Sequence, residues 1–141
     1  MNYARKYKET QIETASPVRL IVILYDIIIS SINESIVHLE SRKYDLLNKE
    51  LSRAQEGLIE LICSLDFEKG GEIANNLYSI YLYCSRRLFE GNIDKDKNML
   101  IEVVNILSKL RDAWEQIANM NVSTPQNKSE EVRVKSVDIR S

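Results

Sequence analysis

The sequence predicts an all-α protein, an antiparallel up-down four-helix bundle with an N-terminal arm and a polar C-terminal tail. Three observations carry that expectation. Apolar residues recur every three or four positions through four separate stretches, short polar connections join the stretches, and capping residues sit at several of their ends. In 141 residues, with a hydrophobic share of 44% and a charged share of 28%, there is material for one core and little scope for two.

Residues 1–15 are polar, with Tyr3, Tyr7, Ile12 and Ala15 as isolated apolar points, and read as an arm. Ser16-Pro17 opens the first helix: the hydroxyl can accept from an early helix N–H, and Pro17 takes a position whose N–H would have no partner. Leu20, Leu24, Ile28, Ser31 and Ser35, with Tyr25 and Ile32 beside them, carry that helix to about Glu40. The stripe breaks at Arg42-Lys43-Tyr44, and Asp45 can cap a second helix that buries Leu47, Leu51, Ala54, Leu58, Leu61 and Ile62 and ends near Leu65. Within it Gly57 costs about 1 kcal/mol relative to alanine, which fits either a close helix approach or simple tolerance.

Asp66 to Gly71 supplies the next connection, and the third helix is expected to begin at Gly71 or Glu72. Its internal stripe is Ile73, Leu77, Ile80, Tyr81, Cys84 and Leu88, and Gly91-Asn92 marks its stop. Asp94 or Asp96 can cap the fourth helix, where Leu100, Val103, Leu107, Leu110, Trp114 and Ile117 form one stripe. Residues 121–141 contain Pro125 and no helical apolar face. They read as a disordered tail outside a bundle domain of residues 1–120, although Val132, Val134, Val137 and Ile139 leave open a segment that docks onto a surface.

Several function classes are disfavoured. Nineteen Lys and Arg against twenty-one Asp and Glu give a net charge of -2, so no basic excess exists to neutralise nucleic acid. His38 is the only histidine, and the paired Glu-x-x-His of di-iron bundles is missing, so no metal, cofactor or enzymatic activity is expected. Gly70-Gly71 lacks the spacing of a phosphate loop, and the pairs Asp66/Glu68 and Asp94/Asp96 read as solvated helix-entry residues. Cys63 and Cys84 are expected in the core rather than in a disulfide. No signal peptide is read at the N-terminus. The run Val18–Ile29, interrupted by Arg19 and Asp26, is taken as too short for a bilayer, so a cytoplasmic protein without membrane insertion is expected.

Two helices are more apolar than a bundle face requires. Between Ile21 and Ile29 only Asp26 is strongly polar, and Leu77, Tyr78, Ile80, Tyr81, Leu82 and Tyr83 cover most directions of the third helix. One reading is wider burial among neighbours; the other is an open groove that receives another helix. Tyrosine suits the second, since its ring supplies apolar area and its hydroxyl tolerates a wet rim.

Four stretches carry a resemblance to a known family. They are Thr14-Ala15-Ser16-Pro17 followed by Leu20-Ile21 and Leu24-Tyr25-Asp26; Leu65 through Gly70-Gly71-Glu72-Ile73-Ala74 to Leu77, continued by Tyr81-Leu82-Tyr83; the Asn92 region; and Glu102-Val103 through Leu110-Arg111-Asp112-Ala113-Trp114. In order and spacing, over about residues 1–117, they resemble the flagellar protein FliS group of cytoplasmic export chaperones. The resemblance implies a helical bundle that binds the C-terminal segment of flagellin, prevents premature polymerisation and assists delivery to the flagellar type III export apparatus. It makes Tyr3, Tyr7 and Ile12 of the arm candidate contacts, and the apolar surplus adds Leu24, Tyr25 and Ile28 of the first helix and Leu77, Tyr78, Tyr81 and Leu82 of the third. Leu24 and Tyr25 fit either the core or an exposed edge. Structural roles are expected for Ser16 and Pro17, for Gly70 and Gly71 at the entry to the third helix, for Trp114 as a core anchor, and for Asp26, which can orient the N-terminal region or a nearby loop. Two departures stand out: Ile27-Ile28 replaces the family's Gly-Ala pair, and Glu90-Gly91-Asn92 keeps only the Asn of its Ala-Asn. The alternative function is a helical adaptor or homo-oligomeric structural protein.

Overall fold

The computed structural model describes residues 16–123, with side chains through Met120. The described residues form four helices: α1 (Pro17–Glu40), α2 (Tyr44–Cys63), α3 (Phe67–Asp94) and α4 (Lys97–Ser123). The arm residues Tyr3, Tyr7 and Ile12, and the tail beyond Ser123, lie outside them. Backbone neighbours are α1–α2, α2–α3, α3–α4 and α4–α1, so α1 and α3 stand diagonally across an up-down bundle.

The start of α1 follows the sequence signal: Ser16 Oγ accepts from Arg19 N at 3.1 Å, with Pro17 in the first turn. Other ends differ from expectation. α2 begins at Tyr44 with Lys43 at the cap position and no side-chain cap, because Arg42 (φ 58°) has already turned the chain and Asp45 lies inside the first turn. α3 begins at Phe67, earlier than expected, because Asp66 Oδ1 accepts from Glu68 N at 3.1 Å and Lys69 N at 3.3 Å.

One turn later the helix breaks at Gly71 (φ 51°, ψ -122°) and resumes, while Gly70 stays helical. A Cβ at Gly71 would meet nothing within 4 Å, so its requirement is conformational rather than spatial. The expected sharp entry therefore belongs to Gly71 alone, as a kink inside α3. Gly91 does not stop the helix either. α3 runs on to Asp94 and ends where Lys95 adopts a left-handed conformation (φ 53°), while Asp96 Oδ1 accepts from Asn98 N at 2.9 Å to open α4. α4 keeps helical backbone to Ser123, past the expected boundary at residue 120.

The core is the set of facing stripes: Val22, Tyr25, Ile28 and Ile32 of α1, Leu47, Leu58 and Leu61 of α2, Tyr81 and Leu88 of α3, and Leu100, Leu107 and Trp114 of α4. Cys84 is buried, as expected, whereas Cys63 at the end of α2 is exposed and both thiols are free. By length and composition the 24 residues of α1 are apolar enough to cross a membrane, a longer run than Val18–Ile29 alone suggested. In the bundle, however, those side chains are the most heavily used part of the core.

Candidate functional site

The ten proposed contact residues separate into groups. Tyr25 and Ile28 are completely buried, Tyr81 and Leu77 nearly so. Leu24 is partly buried against the core, and only Tyr78 and Leu82 are exposed; Tyr3, Tyr7 and Ile12 lie outside the described residues. Helical period alone could not make this division, because side chains one step apart on a bundle helix straddle the boundary between core and rim.

The buried tyrosines form a polar link at the centre of the bundle. Their hydroxyls lie 2.6 Å apart, joining α1 to α3 across the diagonal, with ring centroids 6.3 Å apart. Burial pushes Tyr25 far above the usual phenol range and, as the main cause, pushes Tyr81 up to about 12. Both stay protonated and pair with each other, which satisfies two polar groups that would otherwise be costly in an apolar core. Burial likewise raises the Cys84 thiol from 9.0 to about 12, leaving it protonated and unreactive.

Charged bonds fix helix pairs at the surface. Arg111 Nε and Nη2 donate to the two Asp26 oxygens at 2.8 and 3.3 Å, so Asp26 ties α1 to α4 rather than to the arm or a loop. Arg19 extends this seam to Glu115 at 2.6 Å. Between α3 and α4, Tyr83 Oη and Arg87 Nε donate to Glu102 at 2.5 and 2.8 Å and together hold its carboxyl below the usual range. Gln55 and Ser85 exchange hydrogen bonds between α2 and α3, Nε2 donating to the Ser85 carbonyl at 2.9 Å and Ser85 Oγ donating to Oε1 at 2.6 Å.

Beside that last bridge lies the largest run of exposed apolar side chains. Tyr78, Leu82, Phe89 and Ile93 follow one another by four, seven and four residues, which places them within about 60° of one another around α3. Phe67 extends the run by packing edge-on to Tyr78, with centroids 5.7 Å apart, and Ile59 of α2 is exposed as well. A cleft of about 400 Å³ between α2 and α3 runs past Ile59 and Phe89. Sequence reading found Tyr78 and Leu82 but missed Ile59, Phe67, Phe89 and Ile93; the 78-82-89-93 spacing was the signal that could have found the last two. A second cleft, of about 500 Å³, lies between α3 and α4 over Ile80, Ile101, Ile106 and Leu110. Among the described residues no group of His, Cys, Asp and Glu is arranged to hold a metal ion.

Comparison with known proteins matches the family described as Flagellar protein FliS over residues 1–121. The chain is 37% identical over 120 residues to the flagellar secretion chaperone FliS of Salmonella typhimurium, covering 82% of this chain and 87% of that protein. It is 31% identical over 110 residues to the flagellar secretion chaperone FliS of Bacillus subtilis, covering 78% and 81%, and 30% identical over 113 residues to that of Campylobacter jejuni, covering 80% and 88%. The chain belongs to the FliS family.

Proposed function

We propose that this FliS-family chain is a cytoplasmic flagellar secretion chaperone that binds the C-terminal segment of flagellin without chemical turnover. It holds the subunit back from premature polymerisation and assists its passage to the flagellar type III export apparatus. The observation that carries the reading is the exposed stripe Tyr78–Leu82–Phe89–Ile93 with Phe67 and Ile59, open beside a bundle whose own core is already closed. An amphipathic helix laid along such a stripe buries its apolar face, and that burial offsets the entropy lost in ordering a flexible segment. Within the proposed contact set, Tyr78 and Leu82 act directly, Leu24 shapes a rim, and Tyr3, Tyr7 and Ile12 of the arm are candidate contacts. Tyr25, Ile28, Leu77 and Tyr81 act by holding the helices in place. The bundle domain is taken as residues 1–120, and no cofactor enters the mechanism.

Co-purification with flagellin tests the reading. A one-to-one complex that is lost when flagellin's C-terminal segment is removed supports it. Full-strength binding after that truncation overturns the assigned segment.

A further inference from the structure

The apolar stripe on α3 is broken at its middle. Its spacing of four, seven and four residues skips a turn between Leu82 and Phe89. The side chains that flank the stripe's line there are Ser85, about 50° toward α2, and Arg86, about 50° toward the outside, and both are polar. Ser85 is committed to Gln55 of α2, donating to its Oε1 at 2.6 Å while the Ser85 carbonyl accepts from its Nε2 at 2.9 Å. Arg86 is exposed and lies over the Tyr83 ring, 5.5 Å from the centroid. On α2 the exposed Glu56 follows Gln55 and lines the same cleft. Arg53 is paired with Glu50 and Glu90 with Arg87, and neither Glu56 nor Arg86 forms an ion pair among the described residues.

The bridges Gln55–Ser85 and Asn48–Asn92 hold α2 and α3 antiparallel in register. Glu56 and Arg86, each one step past a bridge residue, therefore lie within about 3 Å of one level along the groove. A polar belt crosses the apolar surface at that level, from Glu56 through Gln55 and Ser85 to Arg86. Tyr78 and Leu82 lie on one side of it, Phe89 and Ile93 on the other.

We propose that this belt sets the register and direction of the bound helix, selecting a segment with an acidic side chain over Arg86 and a basic one toward Glu56 at mid-face, and apolar side chains before and after them. The inference rests on the assignment of the stripe to flagellin's C-terminal segment. On an unbroken apolar stripe a helix could slide by one turn, about 5.4 Å, and bury nearly the same area. Across the belt, a slipped helix lays apolar side chains on Arg86 and Glu56 and strips them of water without replacing it. A reversed helix exchanges its two flanks and sets like charges against like. Arg86 suits the acidic partner, because its planar guanidinium can hold a carboxylate by two hydrogen bonds while one face stays on the Tyr83 ring.

Titration of the full chain with flagellin's C-terminal segment tests the belt. Arg86→Glu and Glu56→Lys, both at exposed positions, should each weaken capture about tenfold without changing the bundle's melting. Reversing the segment's acidic residues to lysine one at a time should find one that restores capture by Arg86→Glu to within about twofold of the unaltered pair. That residue should lie between two apolar pairs of the segment. A change of less than about twofold in either charge variant overturns the belt, as does a loss in Arg86→Glu that no single reversal restores. Where Leu82→Ala still weakens capture in that case, the belt alone falls and the flagellin assignment stands. Failure of the unaltered chain to hold the segment overturns the assignment, and the belt with it.

Discussion

α1 from Ile21 to Ile29 and α3 from Leu77 to Tyr83 are each apolar around most of the helix, yet the bundle uses the two helices in opposite ways. α1 lies close to both α2 and α4 and takes its surplus inward: Val18, Ile21, Val22, Ile23, Tyr25 and Ile28 are all buried. α3 is packed less closely by the same two neighbours and leaves Tyr78, Leu82, Phe89 and Ile93 outside. The cause lies partly in the neighbouring helices. Gly57 of α2 lets α1 approach until Ile28 occupies the space a Cβ would fill. α3 is bridged to its neighbours by Gln55 with Ser85 and by Glu102 with Tyr83 and Arg87. Surplus apolar surface in a bundle therefore becomes core or interface according to how closely the adjacent backbones approach.

Substitutions can break that contrast. The largest effect is expected for Ile28→Ala in α1, which empties a fully buried site and should cost about 2–5 kcal/mol in denaturant unfolding. A cost below about 1 kcal/mol would mean that α1 is not the buried partner of the pair. Gly57→Ala sharpens the explanation. Its new methyl would collide with Ile28 Cγ1 and lie 2.9 Å from Cδ1, so a loss of about 1–3 kcal/mol is expected despite alanine's better helix propensity. Stabilisation by this substitution would remove the close approach as the cause. The smallest effect on folding is expected on α3. Leu82→Ala or Phe89→Ala should shift stability by no more than about 0.5 kcal/mol, while each weakens capture of the flagellin C-terminal segment by about 1–2 kcal/mol in titration calorimetry. Unchanged binding in both variants would move the interface off the stripe.

Much of the architecture was legible in the residues. The 3.6-residue period placed all four helices, Ser16-Pro17 marked the start of α1, and the spacing from Leu100 through Trp114 marked the buried side of α4. Local signals failed where another local bond outbid them: Asp66 started α3 ahead of the Gly70-Gly71 signal, and Gly91 stayed helical with Leu100 Cδ2 lying 3.0 Å from the position of a missing Cβ. Ile73 looked like a core position, yet it is half exposed just past the kink at Gly71. Asp26 announced a charged bond but not its partner, because Arg111 lies 85 residues away in the chain.

By itself the sequence determined the helices and their order, because backbone periodicity and short capping motifs act between residues a few positions apart, and its four motif stretches carried the resemblance to the family. Only the tertiary structure decided which apolar side chains close the core and which remain open. It paired Tyr25 with Tyr81 and set Tyr78 and Leu82 outside, because exposure depends on the distance between helices, and that distance is set by residues remote from one another in the chain, such as Gly57 and Ile28.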